Sequence, residues 1–179
     1  SEYADAGKGG DLEIMAPTII LEEASIGTYT SGSGRGGSVR LEAAEQVVIS
    51  DFGIEMETSG VGASSNLEIM APTIILEDME IGAYAFFGSG SGGSVRLEAT
   101  EQVVINDSRI DMATYSEYAD AGKGGDLEIM APMISLSEDT KIVVATTGSG
   151  QGGSVWLKAT DQILLSGQST RISSSSHGM

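Results

Sequence analysis

The sequence predicts an all-β chain wound as a parallel β-helix, a solenoid of three short strands per turn and about six turns of about 28 residues. Three observations predict it. First, two phrases alternate along the chain. One reads LEIMAPTIILE at 12–22 and 67–77 and LEIMAPMISLS at 127–137; the other reads GGSVRLEAAEQVVIS at 36–50, GGSVRLEATEQVVIN at 92–106 and GGSVWLKATDQILLS at 152–166. The three prolines, Pro17, Pro72 and Pro132, are one position of the first phrase. Second, apolar residues run at period two, as in Leu12 and Ile14 or Val39 and Leu41, and not at the 3.6 of a helix. Third, clusters of glycine and serine cut the chain once per unit. Turns start near residues 12, 39, 67, 95, 127 and 155, so 1–179 reads as a single repeat array. SEYADAGKGGDLEIM at 1–15 returns unchanged at 116–130, so the array is expected to be a segment of a longer rod.

In the first turn the expected strands are Leu12–Ala16, Thr18–Glu22 and Ser25–Thr30. The glycine-rich stretch SGSGRGG then carries the chain to the next turn. Equivalent strands stack about 4.8 Å apart. Alternation turns Leu12, Ile14, Ile19, Leu21, Ile26 and Thr28 inward. Ile26, Ile54, Ile81, Ile110, Ile142 and Ile172 form one inward ladder through all six turns. Thr28, Met56, Ala83, Met112, Val144 and Ser174 form the next. An up-and-down barrel fits less well, since it needs tight antiparallel turns at about half this spacing.

Three outward columns follow from the same register. Glu13, Arg40, Glu68, Arg96 and Glu128, ending on Trp156, alternate acid and base along the rod. Stacked in neighbouring turns, each Glu lies beside an Arg, which gives the alternation of the two phrases a physical cause. Glu23, Asp51, Asp78, Asp107 and Asp139 make an acidic column. Stacked carboxylates repel, and Ca²⁺ relieves such columns where it binds, so these are the candidate metal ligands. Turn chemistry is the plainer reading, because Asp tolerates tight turns. Ile20, Val48, Ile75, Val104, Ser135 and Leu164 make an outward aliphatic column, which is either covered by a glycine-rich loop or met by a neighbouring rod.

Composition excludes several classes. The chain carries 26 acidic and 9 basic side chains, a formal net charge of −17, which repels phosphate backbones and argues against nucleic-acid binding. No apolar run is long enough to insert in a membrane. The absence of cysteine removes disulfides, thiol nucleophiles and thiolate metal sites. His177 is the single histidine, so neither a multi-His metal centre nor a Ser-His-Asp triad is built from it. An enzyme on this fold needs a local cluster that breaks the repeat, whereas here Asp11 with Asp126, and Glu45 with Glu101 and Asp161, follow it. GSGRGG and GSGSGG lack a Walker lysine. No threonine column of the kind that binds ice runs through six turns. The chain is therefore read as non-enzymatic, with no cofactor beyond the Ca²⁺ candidate.

GGDLEI at 9–14, GSGRGGSVRLEA at 32–43 and GGSVWLKATDQILLSG at 152–167 resemble the repeats of filamentous-haemagglutinin-like exoproteins of two-partner secretion systems. The resemblance implies a long right-handed β-helix in a large protein exported through an outer-membrane barrel partner. It also implies a location at, or secretion from, the surface of a Gram-negative-type bacterium, and a role in adhesion, aggregation or biofilm structure. The family's N-terminal secretion domain has no counterpart in these residues.

Two functional readings follow. One is a structural or adhesive rod segment whose partners are a host or neighbouring-cell surface, a glycan or a matrix. The other is a self-assembling subunit of a filament, sheath or surface layer, whose partners are other copies of itself. A polysaccharide-acting enzyme is a minor third. Both ends read as small and polar without a capping helix, as expected of a piece of a longer rod or of a unit that stacks end to end. Tyr84, Phe86 and Phe87 cluster where the period breaks, as candidate sugar-stacking rings or as anchors of their loop.

Overall fold

A computed structural model describes residues 7–60, 62, 64–86, 90–115, 122–147 and 150–177. The chain is a parallel β-solenoid built from two sheets. The larger sheet takes β1 (Leu12–Glu22), β3 (Ser38–Ser50), β5 (Asn66–Glu77) and β7 (Ser94–Asn106) from the first four turns. It continues through β9 (Asp126–Met130) and β10 (Met133–Ser137), then β12 (Ser154–Lys158) and β13 (Gln162–Leu165). The smaller sheet stacks β2 (Ile26–Ser31), β4 (Gly53–Ser59), β6 (Glu80–Phe86), β8 (Arg109–Tyr115), β11 (Lys141–Thr147) and β14 (Arg171–His177) in that order. Every strand pair is parallel, and each strand meets its equivalent one turn on.

The first two expected strands of each turn run on as one strand in turns one to four and are separate in turns five and six. The join is a register shift. Ala16 pairs with Ala43 and Thr18 with Gln46, so Pro17 alone lies opposite Ala44 and Glu45. A proline fits a bulge because no ladder bond needs its missing N–H. The shift also resets side-chain phase, so that Leu12 and Ile14 before it, and Ile19 and Leu21 after it, face the same core. Thr18 Oγ donates to Glu45 Oε2 at 2.9 Å, and Thr73 Oγ to Glu101 Oε2 at 3.2 Å, so the extra residue of the longer strand is tied back to its neighbour.

The core lies along the axis between the sheets. Leu41, Ile69 and Leu97 from the larger sheet and Ile54, Ile81 and Ile110 from the smaller are fully buried. The isoleucine ladder pairs in the expected register, Ile26 with Ile54, Ile81, Ile110, Ile142 and Ile172 in turn. The Thr28, Met56, Ala83, Met112, Val144 and Ser174 ladder does the same. Inward residues of the first and last turns have a neighbour on one side only, and Ile163 and Leu165 are exposed.

An unanticipated column guides the chain into each turn of the larger sheet. Asp11 Oδ1 accepts from the Ser38 N–H at 2.8 Å and its hydroxyl at 2.7 Å. Asn66 Oδ1 does so from Ser94 at 3.1 and 2.9 Å, and Asp126 Oδ1 accepts the Ser154 N–H at 3.0 Å. Asx and Ser therefore alternate turn by turn, as Glu and Arg do.

Candidate functional site

The outer surfaces carry the candidate residues. In the charge ladder, Glu13 pairs with Arg40, Arg40 with Glu68, Glu68 with Arg96, and Arg96 with Glu128, all in one register. Arg40 sits 3.6 Å from Glu13, 3.0 Å from Glu68 and 2.9 Å from Glu42 on its own strand. Its basicity is raised, first by the bond to Glu42. Arg96 pairs with Glu98 at 2.9 Å. Glu128 is held below the usual carboxylate range, chiefly by its bond from Lys158 and further by Arg96. These groups are about half exposed, so each pair contributes little stability, and the ladder acts on which turn sits beside which.

The acidic column occupies a backbone corner. Glu23, Asp51, Asp78 and Asp107 have φ of 48°, 56°, 48° and 43°, in the left-handed region. The fifth member is Glu138, at 55°, and not Asp139, because this corner holds one more residue than each of the four before it. Gly167 takes the sixth position, at 101°. Glycine adopts this conformation most readily, and among the other residues Asn and Asp tolerate it best. The N–H of Asp78 donates to the Asn106 carbonyl at 3.1 Å, and those of Asp51 and Asp107 donate likewise to the next turn. The column thus has a backbone role in every turn. Among the described residues, no three His, Cys, Asp or Glu side chains form a group that could hold a metal ion.

Tyr84 and Phe86 lie on strand β6, half-buried on its outer face; Phe87 lies outside the described residues. The Tyr84 ring folds back over Gly82, where a Cβ would come within 2.5 Å of Cε2. Its hydroxyl donates to Glu80 Oε1 at 2.9 Å, and burial pushes its ionisation up. Tyr29 repeats the arrangement over Gly27, with its hydroxyl on Glu55 Oε2 at 2.9 Å. The Gly-x-Tyr spacing of GTY at 27–29 and GAY at 82–84 is the sequence signal for this pairing, which fills the gap a glycine leaves in a sheet. Tyr115 joins from β8, with its ring stacked on Phe86 at 5.4 Å and 13°. Phe86 and Tyr115 therefore each turn one face to the other.

Beside this cluster Asp111 is 4% exposed. Arg109 donates to its Oδ2, while Oδ1 is buried without a partner. Asp111 pairs with Gly82 in register, the glycine that the Tyr84 ring overlies. Sequence reasoning missed this carboxylate because its position is not repeated: the neighbouring turns carry Glu55, Gly82, Val143 and Ser173.

The aliphatic column pairs in one register, Ile20 with Val48, Ile75, Val104, Ser135 and Leu164 in turn. Ile20 and Leu164 are exposed, at 55% and 45%, and the four between are half-buried. Among the described residues, the glycine-rich connections stack on one another instead, as Gly37 on Gly10 and Gly153 on Gly125.

With this geometry the chain is a β-solenoid repeat protein. Comparison with protein-family models, curated proteins and solved structures finds no match.

Proposed function

We propose that this chain is a non-enzymatic rod segment of a secreted bacterial surface protein, of the filamentous-haemagglutinin-like kind its repeats resemble. In this reading the turns wind right-handed with three strand segments each, the register shift at Ala16/Thr18 dividing the first segment from the second. Export runs through an outer-membrane partner, and the rod serves adhesion, aggregation or matrix structure at the cell surface. One observation carries the reading. The inward ladders and outward columns continue from turn to turn, and the recurring acids take part in the repeat: Asp11 and Asp126 bind the next turn, and Asp51, Asp78 and Asp107 form its corners. Such residues hold turns in register, which suits a spacer.

Displaying the chain on a non-adherent bacterium tests this. Cells carrying it are expected to aggregate or bind a matrix-coated surface more than cells carrying an unrelated domain of equal size. The purified chain is expected to release no reducing ends or unsaturated products from neutral and acidic polysaccharides. Turnover of any of them overturns the non-enzymatic reading.

A further inference from the structure

We infer that the outer face of the larger sheet is a lateral contact between two copies of this rod. Five large apolar side chains are exposed on that face: Met15, Ile20, Met133, Trp156 and Leu164. The strip that holds Ile20 and its equivalents lies beside the column of Thr18, Gln46, Thr73, Gln102, Met133 and Gln162. Neither column holds an ionisable residue in any of the six turns, in a chain of net charge −17. An uncharged strip on so acidic a surface approaches a like-charged body with the least desolvation cost.

Periodicity selects the second copy as occupant. The face repeats its shape every turn, about 4.8 Å, and its charge every two turns, about 9.6 Å. A second rod carries the same two spacings. Laid antiparallel, which keeps the column order across the contact, it sets Arg40 and Arg96 of one ladder opposite Glu128 and Glu68 of the other, with Glu13 opposite Trp156 at each end. A partner without this repeat matches at one turn and fails at the next. The outline of the face, six strands by about ten residues, is roughly 900 Å², comparable to the ~800 Å² that each partner contributes to a standard interface.

The contact has a distinctive salt dependence. Two rods of charge −17 repel at long range, and salt screens that repulsion while leaving apolar contact intact. Association is therefore expected to strengthen with added salt.

The test is sedimentation equilibrium of the full chain over increasing protein and NaCl concentration. A monomer–dimer equilibrium that shifts at least about tenfold toward dimer between about 0.02 and 0.5 M salt is expected. Val48→Lys with Val104→Lys places two ammonium groups in the strip and is expected to abolish it. Glu57→Lys raises the net charge by the same amount from the outer face of the smaller sheet and is expected to leave dimers intact. A second readout covers a variant that folds poorly. The chain has no cysteine, so a nitroxide on Thr73→Cys is expected to show dipolar broadening from its copy, and one on Glu57→Cys none. A chain that stays monomeric at every salt concentration overturns the inference, as does equal loss of dimer in the Glu57→Lys variant. So does association seen only after a polysaccharide or a second protein is added. The inference rests on the rod described above; the frictional ratio of the monomer reports on that rod separately.

Discussion

At the residue scale, two side-chain types owe their place to backbone geometry. Asp78 holds φ of 48°, where an L-residue other than Asn or Asp loses roughly 1–2 kcal/mol. Asp78→Val is therefore expected to destabilise by about that amount, and Asp78→Gly to stay within ~0.5 kcal/mol. Urea midpoints at constant m-value measure both. Melting curves in Ca²⁺ and in EDTA are expected to coincide; a shift between them restores the metal reading of this column. Asp11 acts through its acceptor oxygen. Its carboxyl is held well below the usual range, first by the Lys8 bond and then by the Ser38 hydroxyl and N–H. A folded value below the unfolded one contributes stability above the ordinary carboxylate value, and this is lost as pH falls through the folded value. Asn66 performs the same bonding to Ser94 without a charge. Asp11→Asn keeps the Ser38 bonds and loses the exposed Lys8 pair, so it is expected to lower pH 7 stability slightly while flattening the acid limb of the stability curve. An unchanged acid limb counts against the linkage.

At the element scale, the connections between strands are as repetitive as the strands. A Cβ on Gly153 would lie 1.7 Å from the Gly125 carbonyl oxygen, whereas one on Gly10 meets nothing within 4 Å. Neither backbone is in the left-handed region, so space alone separates the two. Gly153→Ala is expected to cost about 2 kcal/mol or more, and Gly10→Ala to be neutral or slightly stabilising, by thermal melts of each. The columns themselves were legible in the sequence, because a strand alternates faces every residue and a repeat fixes the register. Glu13 beside Arg40, and Ile26 beside Ile54, follow from those two facts. Three things were hidden. Pro17 reads as a strand break, yet a bulge carries the strand across it. One additional corner residue moved the fifth turn position from Asp139 to Glu138. The buried Asp111 belongs to no ladder, so periodicity gives no sign of it.

At the scale of the whole molecule, the unit of construction is two turns. Glu faces Arg, Asx faces Ser, and a proline strand faces one with an added residue, and all three alternations share the same phase. Solenoid stability is close to a sum of turns and of neighbour contacts, so a change at one junction is readable against the rest. Deleting Ser38–Gly93, 56 residues, removes one turn of each kind and sets Glu13 beside Arg96. Deleting Ser38–Ser65, 28 residues, sets Glu13 beside Glu68. The substitution Glu13→Arg then changes sign between the backgrounds. In the full chain and in the two-turn deletion it places Arg beside Arg and is expected to destabilise. In the single-turn deletion it places Arg beside Glu and is expected to stabilise. Each effect is at most about 1 kcal/mol, because these groups are half exposed. Urea midpoints at low salt measure it, and the difference between backgrounds is expected to shrink as salt screens the pairs. The same sign in all three backgrounds would show that alternation of charge plays no part in ordering the turns.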